Sequence, residues 1–463
     1  MEREEINQRL SQSLSEEYLA AYPRAAAEQE RAERSLIKGG SHSLRLFDPV
    51  PLRIRRAEGA VVEDVDDHEI LDFWQGHYAN ILGHNPPLLT RALCEGLQGG
   101  VGLQTGIVDT LQTEYAELLL SLIGQERLRF TTSGALANLY AVMLARAFTG
   151  RDVTLKVGGG WQGAHPFALK GVSWRDGYDH PETEGLSADV MRRVLLTRYN
   201  DPDDLRAVFA REGDQIACFI VEPWLGMGGF IPADPEYLAV ARELTRKHGA
   251  MLIFDEIISG FRFCAGAVSR LYSITPDLVT LAKIVGGGMP LAVVAGRADV
   301  MGLCHPDSPR RVKFDGGTFS AHPAALLAGR TLVSWLAENE DEIYPRLGEM
   351  GERLRRGVEA ACASEGIFVR CTGYGNEVAP HSSVAMVNFP HDDECRLTSP
   401  DQIWSPAVCD VDRRERLLKL ALLLERVHVM HGLGTLATVH TGEHLKWLFE
   451  ACARAARRFR EVE

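Results

Sequence analysis

The 463-residue chain contains no C-x-x-C pair, and its nine cysteines are dispersed and odd in number. A disulfide framework or a cysteine zinc site is therefore not expected, and a reducing compartment, the cytoplasm, is. The 15 histidines form no H-E-x-x-H, so no metal site is expected either. No apolar run approaches the ~20 residues a membrane-spanning helix needs. The first ten residues, MEREEINQRL, lack the apolar stretch of a secretory signal. No repeat or low-complexity tract occurs. Basic residues are in deficit, 50 against 63 acidic for a net charge of −13, which argues against a nucleic-acid partner. Glycine, by contrast, is plentiful. Its 44 copies cluster at Gly158-Gly159-Gly160, Gly286-Gly287-Gly288 and Gly316-Gly317, and clustered glycine marks backbone approaching a ligand, often a phosphate.

The length favours two or more domains. Residues 1–35 read as helical: Ile6, Leu10, Leu14 and Tyr18 share one face, and Pro23 interrupts the run. Residues 54–73 read as short strands and turns, split by Glu-Gly and Asp-Asp. From about residue 85 short apolar runs alternate with helical ones. The runs IACFIVE (216–222), AMLIFDE (250–256), DLVTLA (277–282) and LAVVAG (291–296) are separated by stretches such as 135–148, 235–249 and 323–340. That alternation implies crossover units and a mostly parallel sheet, an α/β fold. Residues 390–412 are rich in Asp, Pro and Ser and read as a long loop, and 443–463 as an amphipathic helix.

Four places carry candidate chemistry. Ser133-Gly134-Ala135 follows an apolar strand and opens a helix. It is either a plain helix cap or a seat for an anion on free backbone amides. Asp255 ends a buried strand, where ligands of parallel sheets bind, as a loop cap or a partner for a cation. Lys283 follows an apolar strand and precedes three glycines. It either snorkels at a sheet edge or is a buried amine suited to Schiff-base chemistry. Gly158, Gly160 and Gly163 formally match G-x-G-x-x-G, but Pro166 follows and the long helix that a dinucleotide fingerprint needs does not.

In order, these segments resemble one family. GGSHSLR (39–45), GHNPP (83–87), the Ser133-Gly134 helix start, VEP (221–223), FDEIISGFR (254–262), TLAKIVGGGMP (280–290), GGTFS (316–320) and His440-Thr441 are similar to the class III (ω-type) aminotransferases of fold type I. The glutamate-1-semialdehyde aminomutase-like subgroup is the nearest. The resemblance runs from about Gly39 to the C-terminal helix. It implies pyridoxal 5′-phosphate as cofactor and a mostly parallel seven-stranded sheet in a large domain over 85–340. It also implies a smaller α+β domain built from 36–84 and 341–463.

The resemblance assigns roles. Lys283 would bind the cofactor as a Schiff base and move the substrate proton. Asp255 would pair with the ring nitrogen. Ile257 and Trp161 would cover the two ring faces. Ser133, Gly134 and Ala135 would seat the phosphate, and Thr318 would reach the phosphate of a neighbouring subunit, which implies a homodimer with shared sites. Glu222 matches the family's Glu-Pro acid, and Arg45 the arginine that faces a substrate carboxylate. The implied reaction is ping-pong transfer of an amino group from an amino acid, with β- and aromatic amino acids among the candidates, to a carbonyl acceptor. The same fold and cofactor serve mutases, racemases and decarboxylases. A non-catalytic cofactor-binding descendant is disfavoured by the retained Lys283 and Asp255.

Three departures stand out. Trp161-Gln162-Gly163 replaces an aromatic-His-Gly turn. Leu225 and Met227 stand where a polar contact to the cofactor's 3-hydroxyl is usual. Gly432 stands where the aminomutases carry a glutamate, which argues against aminomutase activity. His77, Tyr78 and His431 are candidate pocket residues by position.

Overall fold

A computed structural model describes residues 3–462. The apolar runs form one seven-stranded sheet: β1 (Arg127–Thr131), β2 (Val153–Val157), β3 (Val194–Thr197), β4 (Ile216–Val221), β5 (Met251–Asp255), β6 (Leu278–Leu281) and β7 (Ala292–Gly296). Their spatial order is β1-β7-β6-β5-β4-β2-β3. Strand β7 runs antiparallel to both neighbours, and the other pairs are parallel. Every residue of β4, β5, β6 and β7 is buried, as strands covered by helices on both faces must be. The helix Gly134–Thr149 packs on one face and Pro235–His248 packs against β4 and β5.

The two ends of the chain share smaller sheets. Strands Ile54–Glu58, Val61–Asp64 and Glu69–Asp72 form an antiparallel meander, and Val427–His428 adds in parallel beside the third. Arg370–Thr372, Val384–Asn388 and Gly434–Thr435 form a second antiparallel sheet. Segments hundreds of residues apart thus converge beside the large sheet. Near the N-terminus, helix Arg3–Ala21 buries Leu10, Leu14 and Tyr18, and Pro23 starts a second helix, Pro23–Glu33. Arg3–Ala21 packs on Leu418–Leu424.

The stretch 390–412 is not wholly a loop. Pro400–Trp404 is a short helix, started by proline at its first position and by a reciprocal Ser399–Gln402 capping box, a local signal strong enough to fold within a polar stretch. No helix among the described residues is long and apolar enough to cross a membrane.

Candidate active site

Parallel strands end together, so the residues that follow them meet. Asp255 closes β5 opposite Thr280 of β6, and Phe254 pairs with Val221, which puts Glu222 just beyond the next strand. Lys283 lies two residues past β6 and opens a single turn, Lys283–Gly286, with a left-handed φ of 53°. Burial pulls the Lys283 ammonium down to about 8, against the carboxylates of Asp255 and Glu222, which hold it up. Burial pushes the carboxyls of Asp255 and Glu222 up as well. Lys283, Asp255 and Glu222 therefore form one electrostatic unit at the carboxyl ends of the strands.

Asp255 is fixed from two sides. Its Oδ1 accepts from the Ile257 amide at 3.1 Å, and its Oδ2 from Asn138 Nδ2 at 2.6 Å. Thr280 Oγ1 donates to Asn138 Oδ1 at 2.6 Å, which orients the amide, and Asn138 Nδ2 also reaches the Gln162 carbonyl at 2.9 Å. Asn138 was not singled out in the sequence. It is an asparagine inside an apolar helical run, one turn after the Ser-Gly start, and the fold buries it fully.

Ser133 caps that helix, its side chain accepting from the Leu136 amide. The amides of Gly134 and Ala135 donate to no group among the described residues. The turn is therefore a cap that also leaves two amides free at the positive end of a helix. A methyl on Gly134 would lie 2.6 Å from Ile257 Cδ1, and one on Gly163 would lie 2.6 Å from Ala135 Cα. Close packing thus brings Ile257 and the Trp161-Gln162-Gly163 turn against the same helix start.

No helix follows Gly163; turns and irregular chain run to residue 187, so the glycine pattern is not a dinucleotide loop. Instead the loop wraps a buried ammonium. Lys156 Nζ donates to the carbonyls of Gly160, Ala168 and Lys170 at 2.9, 3.2 and 2.8 Å. Glu222 holds the turn from the other side, accepting from the Trp161 amide at 3.1 Å, Gln162 Nε2 at 3.0 Å and the Gly226 amide at 2.9 Å. Gln162 keeps a side-chain donor on the acid despite the altered motif. Trp161 itself is 39% exposed.

Arg45 is exposed, and its Nε donates to His77 Nε2 at 3.2 Å. His77 lies in Gln75–Tyr78, four consecutive residues with left-handed φ, packed against the turn of Lys283. Tyr78 is buried. Its carbonyl accepts from the fully buried Arg262, which also reaches Thr435 and Leu436 and so ties three distant segments together. His431 Nδ1 bonds Glu415 Oε2 at 2.8 Å, a partner the sequence did not flag.

Gly432 is pinned: a methyl there would lie 2.6 Å from the Val387 carbonyl oxygen. Leu225 is buried in a two-residue strand, and the Met227 carbonyl accepts from Trp404 Nε1 at 3.2 Å. The helix within 390–412 therefore reaches the site's edge. Thr318 is exposed on the loop after β7, and Gln104 Nε2 donates to its carbonyl at 2.8 Å.

A phosphorylated pyridine aldehyde needs an amine, an acid for its ring nitrogen, an anion seat and flat apolar cover. Lys283, Asp255, the Gly134–Ala135 amides and the side chains of Ile257 and Trp161 are of the kinds that would supply these, so the residues fit that group. Comparison with known proteins agrees. Residues 45–377 match the aminotransferase class-III family. Over 441 residues the chain is 38% identical to a glutamate-1-semialdehyde 2,1-aminomutase of Sorangium cellulosum, covering 94% of this chain and 96% of the relative. Its fold superposes on an ω-transaminase from Sphaerobacter thermophilus with a TM-score of 0.83 at 30% identity, covering 94% and 98% of the two chains. A β-phenylalanine aminotransferase from Variovorax paradoxus gives 0.82 at 31%, covering 96% of each. A lysine, an acid and an anion seat at the strand ends, within a match over most of the chain, make this protein a member of the class-III aminotransferases, pyridoxal-phosphate enzymes that comprise aminotransferases and aminomutases.

Proposed function

We propose that the protein is an aminotransferase that takes the amino group of an amino acid, β- or aromatic, and delivers it to a keto acid in two half-reactions. The observation that carries this is Arg45. It is exposed, makes no ion pair among the described residues, and has its Nε occupied by His77. That leaves its two terminal nitrogens for a carboxylate. The rings of Trp74 and His42 flank His77 at 4.0 and 4.6 Å, a wall suited to an aromatic side chain.

Bound pyridoxal phosphate supplies an electron-withdrawing ring. Lys283 Nζ accepts and returns a proton at the substrate carbon, which its lowered proton affinity favours near neutral pH. Asp255 holds a proton at the ring nitrogen. Ser133, Gly134 and Ala135 bind the phosphate, and Trp161 and Ile257 exclude water from the ring faces. Glu222 acts by fixing the Trp161 turn. Thr318 completes the phosphate site of a second copy in a homodimer. The exposed Leu103, Ile107, Val108 and Phe319 around it support such an interface. Nine free thiols support a cytoplasmic location.

The test is an amino-donor panel with pyruvate and 2-oxoglutarate, read by product and by loss of the visible band of lysine-bound cofactor. Turnover should require the keto acid. A second reading, aminomutase, is favoured by the full-length identity to the Sorangium protein. It is opposed by Gly432, where Val387 leaves no room for a side chain. Conversion of glutamate-1-semialdehyde with no keto acid present would establish it instead.

A further inference from the structure

We propose that His77 is the positioning residue for Arg45: its Nε2 holds the guanidinium so that the terminal nitrogens face a substrate carboxylate, which selects amino acids over simple amines. This rests on the reading of Arg45 as the carboxylate grip. Arg45 ends a single exposed turn, Ser43–Arg45. A long side chain there has many rotamers and loses entropy when a ligand orders it. The one hydrogen bond of its side chain among the described residues is the 3.2 Å contact from Nε to His77. Occupying Nε fixes the plane of the guanidinium and turns the opposite edge, with both terminal nitrogens, away from His77.

His77 is itself held. Its segment, Gln75–Tyr78, is a turn of the wrong hand for L-residues, and the Asp72 carboxylate stabilises it. Asp72 accepts from the Trp74 and Gln75 amides at 2.9 Å each, and the Gln75 side chain donates back to the Asp72 carbonyl at 2.8 Å. His84 and His428 clamp the same carboxylate at 2.8 Å each. Gly76 suits the place beside it, with a left-handed φ of 62°.

Imidazole accepts on Nε2 only when neutral with its proton on Nδ1. Burial, reinforced by His42, Arg45, Lys283 and His431, pushes His77 down to about 3. The acceptor role is therefore available across any working pH. Lysine in place of Arg45 would reach the same imidazole but would have no second edge to present.

The experiment compares His77→Phe, His77→Gln and Arg45→Ala holoenzymes on 3-amino-3-phenylpropanoate and on 1-phenylethylamine, which lacks the carboxylate, with pyruvate as acceptor. Calorimetric binding of 3-phenylpropanoate, which has no amine, gives a readout free of turnover. Phenylalanine keeps the ring contacts and removes the acceptor, and glutamine places an amide oxygen near Nε2. His77→Phe should raise KM for the amino acid and Kd for 3-phenylpropanoate about tenfold, the worth of one charge-assisted hydrogen bond, with kcat little changed. It should raise KM for 1-phenylethylamine far less, and His77→Gln should recover most of the amino-acid loss. Equal effects on both donors, no effect on either, or failure of glutamine to rescue would overturn the role of His77. If Arg45→Ala also leaves the amino-acid KM and the Kd unchanged, the carboxylate-grip reading itself has failed. If it raises both while His77→Phe is silent, only the inference about His77 falls.

Discussion

Thr280 and Asp255 stand directly opposite each other across β6 and β5 and hold the two ends of one amide, that of Asn138. Burial pushes Asp255 toward its neutral form, and the Asn138 and Ile257 donors oppose that. Asn138→Ala removes the side-chain donor to Asp255 and leaves the Thr280 hydroxyl unpaired. The expected loss is about 1.5–3 kcal/mol, roughly 10- to 150-fold in kcat, smaller than that of Asp255→Ala. Because Asp255 then ionises at higher pH, the acid limb of the pH–rate profile should also move up. Steady-state kinetics across pH check both.

The Lys283 amine, at about 8, is half neutral at pH 8, whereas an ordinary lysine near 10.4 is under about 1% neutral there. Only the neutral amine attacks an aldehyde. Uptake of pyridoxal phosphate by the apoprotein should therefore rise steeply through pH 8 and level off about one pH unit above it, as stopped-flow absorbance would record. Lys283→Ala should show no lysine-bound band at any pH. The sign for stability follows. The fold binds this proton less tightly than the unfolded chain does, so its contribution to apoprotein stability rises between about pH 8 and the unfolded value of about 10.4.

Lys156→Met keeps the length of a fully buried side chain and removes the donor to three carbonyls. Two or three orphaned carbonyls cost about 2–4 kcal/mol after local relaxation, visible as a lower denaturation midpoint. Because the same loop carries Trp161, cofactor affinity should fall as well, whereas a purely distant destabilisation would leave it unchanged.

Gly163 has φ +98°, and a methyl there would meet the backbone of Ala135 at 2.6 Å. Gly163→Ala should lift the Trp161 turn off the helix start. Titration of the apoprotein should show the Kd for pyridoxal phosphate raised at least tenfold, about 1.4 kcal/mol.

Elements whose signal is local could be read from the chain. IACFIV and MLIFD are continuous apolar runs because both faces of their strands are covered, and Ser133-Gly134 announces a helix start by its own chemistry. Lys283 and Asp255 could be read because they end such runs. Asn138, Lys156 and Glu415 could not. Each is a polar residue explained only by partners that the folded chain brings to it: Asp255 and Thr280, the loop carbonyls, and His431. The short helix Pro400–Trp404 is hidden because its capping box is much shorter than the polar stretch that surrounds it. Arg45 carried its motif, but its partner His77 sits in a backbone conformation that no pattern of side chains predicts.

The left-handed turn at Gln75–Tyr78 sets durability against selectivity. Each of its three non-glycine residues gives up roughly 1–2 kcal/mol by its handedness, and the clamped Asp72 carboxylate offsets part of that. Glycine at Gln75 or Tyr78 would give up a buried side chain, whereas at half-buried His77 it would relax the backbone and remove the partner of Arg45. A lineage selected for heat tolerance alone would drift toward glycine there and lose its discrimination for amino acids, while one selected for discrimination must keep a weak point in its fold.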